Sequence, residues 1–188
     1  SDPPPNIVFV LLDDVRLDDI VENPFVELPN FARVAQEGAS FTNFFTAAPL
    51  CSPSRAVFLT GQYPHRNGIV DNRERAEQSH SIRTFPRILH DAGYRSAFIG
   101  KWHMGEDDDN ARPGFDYWVT HKGQGKYYDT DFNVNGERKT AAGSYTDRVT
   151  DMTPDWLAQQ HSDKPMAINV SHKAHQRPPP PEPRPPHP

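Results

Sequence analysis

Asn6-Ile7-Val8-Phe9-Val10-Leu11-Leu12-Asp13-Asp14 is the stretch whose reading decides the fold. Its continuous apolar, β-branched run stops abruptly at two carboxylates, which predicts a central strand of a parallel sheet, buried on both faces. Asp13 and Asp14 then lie at the carboxyl end of that strand, the edge where open α/β sheets bind ligands. Two adjacent carboxylates are ordinarily a solvated turn, because aspartate is a turn former. Here they cap a wholly apolar strand and need a partner, which favours a metal ion.

Working outward, residues 28–38 predict a helix, with Phe31, Val34 and Ala35 at helical spacing and Gly38 as its stop. Residues 40–46 suggest a short strand. Residues 84–93 predict another helix, with Thr84 as N-cap and Gly93 past its end, and residues 94–99 a strand. This order spells the alternation of a βαβ fold. From Gly105 to Gly143 the chain turns polar and irregular. The acidic run Glu106-Asp107-Asp108-Asp109 reads as a solvated loop, and Asn135-Gly136 as a hairpin turn. Residues 145–160 are helical by composition, with Pro154 kinking the helix or starting a second one capped by Thr153. Residues 166–170 form a short buried strand. Eight of the last twelve residues are proline, which predicts an extended segment outside any sheet or helix.

The 188 residues, 35% hydrophobic, are enough for one domain with a real core. A formal charge of −5 with basic and acidic residues interspersed argues against nucleic acid as a partner. No apolar stretch approaches a membrane span, and the segment Ser1 to Pro5 is unlike a signal peptide. A single cysteine makes no intramolecular disulfide.

That cysteine lies in Pro49-Leu50-Cys51-Ser52-Pro53-Ser54-Arg55-Ala56-Val57-Phe58-Leu59-Thr60-Gly61. A lone cysteine is ordinarily a small buried hydrophobe, but its neighbours argue for more. Pro53 suits the first turn of a helix and Gly61 a left-handed C-cap, so Cys51 is expected just before a helix N-terminus, where backbone N–H groups favour an anion such as sulfate. A second stretch, Gly93 to His103, ends in Gly100-Lys101-Trp102-His103. Gly100 allows close backbone approach to a ligand, and Lys101 and His103 alternate so that both point to one side.

Both stretches resemble the signatures of the sulfatase family: Cys51 to Arg55 matches C-x-P-x-R, and Gly100 to His103 is similar to the second signature. The resemblance runs from Asn6 to about His175. It implies an α/β fold of the alkaline-phosphatase-like type, a mostly parallel sheet flanked by helices. It also implies that Cys51 is converted to formylglycine by a formylglycine-generating enzyme, and that one hydroxyl of the hydrate attacks sulfur while the second later expels sulfate. Arg55 would hold the hydrate and Lys101 the sulfate oxygens. His103 would take the proton that drives sulfate release, and His175 would serve as general acid. Asp13, Asp14 and Cys51 would contribute to a Ca²⁺ site, Mg²⁺ in some members. His65 would have a positioning role, whereas His80, His90, His121, His161 and His187 read as exposed or satisfied.

Family members continue to an Asp-Asn pair that completes the metal shell, a further lysine and a smaller subdomain. The expectation is therefore a domain over residues 1–176, truncated at the C-terminus, followed by a proline-rich tail over 177–188 that is disordered or an artefact of truncation. The segments Lys122 to Asp129 and Asn133 to Gly136 resemble sulfatases of glycans such as N-acetylglucosamine-6-sulfatases. A sulfated glycan or an aryl sulfate is the substrate that follows, in a periplasmic, extracellular or lysosomal setting. The alternatives are a phosphonate or phosphate monoester hydrolase with the same nucleophile, and a non-catalytic fragment.

Overall fold

The computed structural model describes residues 3–18, 24–25, 27–73, 75–159 and 163–173. Six strands, β1 (Ile7–Leu12), β2 (Arg95–Gly100), β3 (Tyr117–Thr120), β4 (Tyr128–Val134), β5 (Glu137–Ser144) and β6 (Met166–His172), form one sheet in the order β1-β6-β2-β3-β4-β5. The first four in that order run parallel, and β4 and β5 join antiparallel. The mostly parallel α/β expectation therefore holds. The helices are α1 (Pro29–Glu37), α2 (Cys51–Thr60), α3 (Pro64–Asn67), α4 (Ala76–Ser81), α5 (Phe85–Asp91) and α6 (Tyr145–Ala158).

Alternation along the central strands builds a core on each face of the sheet. Ala97, Ile99, Val119, Phe132, Ile168 and Val170 pack with Tyr145, Val149 and Trp156 of α6. Phe98 and Trp118, one residue out of step, pack with Trp102, Met104, Ile69 and with Ala56 and Leu59 of α2. Local signals fix the ends of the helices. The Thr84 hydroxyl accepts from Arg87 N at the start of α5, the Ser144 hydroxyl accepts from Asp147 N at the start of α6, and Gly61 closes α2 at φ 66°.

Several expectations require correction. β1 is not central: among the described residues it pairs only with β6 and stands at the sheet edge. Phe9 turns inward against Phe58 and Phe85, but Val8 and Val10 on the opposite face are 60% and 53% exposed. α1 forms where expected, yet Phe31 and Val34 remain exposed. Residues 40–46 make no strand, because no neighbouring strand pairs with them. Pro154 does not break its helix, and the Thr153 hydroxyl donates to Val149 O within α6 instead of capping a second helix. The polar stretch before Gly143 holds β3, β4 and β5, with the expected turn at Asn135 and Gly136, both at positive φ.

Candidate active site

The carboxyl edge of the parallel strands gathers the polar residues. Asp13 follows β1, Lys101 follows β2, Ser171 and Lys173 lie at the end of β6, and His121 follows β3. Gly100 serves the sheet: at φ 119°, a Cβ there would stand 2.0 Å from Ser171 O, so only glycine lets β2 and β6 approach. Ser171 O in turn accepts from Lys101 N at 2.9 Å, which fixes where the lysine leaves the strand.

α2 starts at Cys51 and delivers Arg55 one turn later into this edge. The Arg55 guanidinium is buried. Its Nη1 donates to Lys101 O at 2.5 Å and to Ser171 Oγ at 2.6 Å, and Nη2 lies 3.2 Å from Asp13 Oδ2. Lys101, fully buried, donates from Nζ to Asp13 Oδ2 at 2.5 Å and to Gln124 Oε1 at 2.7 Å. Burial alone would raise the Asp13 pKa, but attraction to Arg55 and Lys101 overcomes it and holds the carboxyl below the usual carboxylate range. Burial, followed by repulsion from Arg55, pushes Lys101 down from the ordinary lysine value.

The Ser52 hydroxyl donates to His103 O, tying the first turn of α2 to the segment after β2. His103 is buried, and burial, then Lys101 and Arg55, pull its pKa down to about 3. The neutral ring therefore donates from Nε2 to Glu106 Oε1 at 3.0 Å, because a carboxylate can only accept. Nδ1 keeps its lone pair, buried and without a hydrogen-bond partner among the described residues. The acidic run is thus no simple solvated loop. Glu106 orients His103, Asp108 pairs with His80 and Arg112, and buried Asp109 receives both arms of Arg138.

One carboxylate oxygen each of Asp13 and Asp14 and the Cys51 sulfur lie within 4.8 Å of one another. Two carboxylates suit a hard divalent cation, and the soft thiol would suit it only once replaced by oxygen. The donor set therefore fits the expected ion as part of the six to eight oxygens Ca²⁺ takes.

Asp13, Asp14, Cys51, Arg55, Lys101 and His103 thus come together. His175 lies outside the described residues, as do His161, His187 and the 177–188 tail. His65 is exposed and stacks on Tyr63. His80 and His90 pair with Asp108 and Asp116, and His121 is buried against Tyr145 Oη at 3.0 Å, so these three are satisfied as expected. Sequence reading missed Gln124, Ser171 and Lys173. Lys173 Nζ donates to Gly125 O at 2.6 Å and stands 4.4 Å from the Tyr127 ring centre. Burial, then Lys101, lowers its pKa to about 8. The signal for all three was their place just past predicted or overlooked strand ends.

A mostly parallel sheet whose carboxyl edge joins a helix N-terminus, an arginine and a lysine to paired carboxylates defines a class: alkaline-phosphatase-like α/β proteins with a site suited to an anionic ester. Within that class the chain belongs to the sulfatase family, whose profile, described as Sulfatase, matches residues 5–188. It is 36% identical over 178 residues to an N-acetylglucosamine-6-O-sulfatase of Bacteroides thetaiotaomicron, covering 92% of this chain and 31% of the relative. It is 32% identical to the N-acetylgalactosamine-6-sulfatase of Mus musculus, over 85% of this chain and 37% of that one. A solved sulfatase structure in complex with its substrate D-glucosamine-2-N,6-O-disulfate superposes with a TM-score of 0.83 at 36% identity, covering 92% of this chain and 35% of that one. The chain thus spans about a third of the length of these relatives.

Proposed function

We propose that the protein hydrolyses sulfate esters of glycans, with Cys51 as its nucleophilic position. The observation that carries this reading is the convergence of Arg55, Lys101 and Asp13 at the first turn of the helix that Cys51 begins. Cys51 converted to formylglycine, the work of a formylglycine-generating enzyme, supplies a hydrated aldehyde whose hydroxyl is the nucleophile. A Ca²⁺ or Mg²⁺ ion held by Asp13, Asp14 and residue 51 supplies positive charge against the ester oxygens.

The chain's own residues do the remaining work. Arg55, anchored by Lys101 O and Ser171 Oγ, orients residue 51 and adds fixed positive charge. Lys101 binds a sulfate oxygen from a side chain already positioned by Asp13 and Gln124. His103 accepts a proton at Nδ1, the nitrogen that Glu106 leaves free. His175 donates a proton to the leaving alcohol on the family pattern. On this reading residues 1–176 belong to the catalytic domain.

Sulfated glycans are the preferred substrates because two relatives are named N-acetylglucosamine-6-O-sulfatase and N-acetylgalactosamine-6-sulfatase, and a similar solved structure holds a disulfated glucosamine as its substrate. Such substrates place the protein in a periplasmic, extracellular or lysosomal setting. No helix among the described residues is long and apolar enough to cross a membrane. The test is co-expression with a formylglycine-generating enzyme and mass spectrometry of the Cys51 peptide. An aldehyde in place of the thiol is the expected product, and a fully intact thiol, while a control sulfatase is converted, would sink the reading.

A further inference from the structure

The loop after β3 separates two places. On one side Gln124 accepts from Lys101 and Gly125 O accepts from Lys173, both at the site already described. On the other side lies an open cleft of about 630 Å³, lined by His121, Lys122, Gly125, Lys126 and by Asp131 and Arg138 of the β4–β5 hairpin. Nothing in the proposed chemistry uses this cleft.

Its charge is uneven. Arg138 is matched by buried Asp109. Lys126 is 3.7 Å from Asp131, whose other oxygen is engaged by the Thr140 hydroxyl. The exposed Lys122 ammonium has neither a hydrogen bond nor an ion pair among the described residues, and the carboxylate on the chain beside it is that of Glu106, against Gly123. His121 adds no charge, because burial takes its pKa down to about 4. The lining therefore carries more positive than negative charge, with Lys122 unpaired among the described residues and Lys126 loosely held.

The loop is also rigidly built. A Cβ on Gly125 would meet the His121 ring at 2.5 Å, and His121 is itself held by Tyr145 Oη and Lys122 O. The Thr130 hydroxyl bonds Lys126 O at 2.9 Å. The two lysines thus project from a fixed backbone that directly abuts the site, and only their stems have freedom.

We propose that this cleft is a subsite for a second anionic group of the glycan, a carboxylate or sulfate on the sugar next to the one being desulfated, recognised by Lys122 and Lys126. The inference rests on the sulfatase reading and narrows its substrate to a polyanionic chain. Partial solvation makes each contact weak and salt-dependent, so its effect lies in discrimination between substrates.

The test is calorimetric binding to the unconverted full chain, at low ionic strength, of glucosamine 6-sulfate and of a uronic acid–glucosamine 6-sulfate disaccharide. The disaccharide should bind roughly tenfold more tightly, an advantage that Lys122→Gln with Lys126→Gln abolishes without changing monosaccharide affinity. Asp131→Asn should act in the opposite sense and raise disaccharide affinity by about twofold, which damage to the fold would not do. Equal binding of the two sugars by the unaltered chain, or an advantage that survives in the double variant, overturns the subsite alone. Failure of both sugars to bind removes the sulfatase reading and this inference with it.

Discussion

The centre of the sheet and its β1 edge are written in the same apolar vocabulary and packed differently. Ile99, Val119 and Ile168 are enclosed against α6, whereas Val8 and Val10 of β1, and Val34, Phe41 and Phe45 further along the chain, face outward. An apolar run records what a segment is suited to contact, and the neighbours present decide whether it is covered. Stability is thus concentrated in one region and surface stickiness in the other. The site joins them, since Asp13 follows the edge strand while its cationic partners are Lys101, just past central β2, and Arg55 on α2.

The comparison is broken most severely at Trp118, which is buried among Phe98, Trp102 and Phe115 and donates to Asp109 O. Trp118→Ala should cost about 3–5 kcal/mol in urea unfolding, against roughly 0.5 kcal/mol or less for Phe45→Ala in the exposed region. Similar losses at both positions would mean that the two regions are equally packed.

Asp13→Asn tests the joint between them. Removing the carboxylate leaves Arg55 and Lys101 buried and mutually repelling, a loss of about 3 kcal/mol near neutral pH. The folded Asp13 pKa is depressed, so its contribution is present above the unfolded value of about 3.9 and lost as pH falls through the folded one. Unfolding curves of the variant and the parent chain should therefore converge in acid. A gap that stays constant to the lowest pH would show that shape, and not charge, is responsible.

A smaller effect separates the centre by pH. His103 and His121 have folded pKa values of about 3 and about 4. Unfolding frees them to bind protons below about pH 6.5, so acid favours the unfolded chain and stability falls from there downward. His121→Gln, which can still meet Tyr145 Oη, should reduce the drop in melting temperature between pH 7 and pH 5. An unchanged drop would exclude His121 as a contributor. The smallest change in stability belongs to Val8→Thr with Val10→Thr, within about 0.5 kcal/mol. Its effect should appear in light scattering, as slower aggregation.

Much of this was legible beforehand for identifiable reasons. Thr84, Gly61 and Asn135-Gly136 act through local geometry that any context preserves, and each stands where the residue type predicts. Arg55 and Lys101 follow a helix start and a strand end, so their meeting was foreseeable from topology. β3 to β5 were hidden because their burial rests on partners. Asn133 on β4 is polar yet buried, its amide donating to Asp109 O, and no period-2 reading of polarity finds such a residue. Gln124 was hidden for a related reason, since its importance lies in a bond to Lys101, 23 residues away in sequence. The edge position of β1 was misread because continuous hydrophobicity describes a strand's affinity for cover on both faces, and here only one face is covered.

The pairing of β1 with β6 matches Ile7 with Ala167, a separation of 160 residues. During synthesis at about 5–20 residues per second, β1 is made roughly 8 to 32 seconds before its partner. For that interval the segment Ile7 to Leu12 is an unpaired, strongly β-prone hexapeptide without a charge, the profile of an aggregation nucleus. Asp13 and Asp14 follow it directly and act meanwhile as gatekeepers, repelling other nascent copies until the strand is received. The same two carboxylates that later face Arg55 and Cys51 thus protect the chain before there is a site to serve.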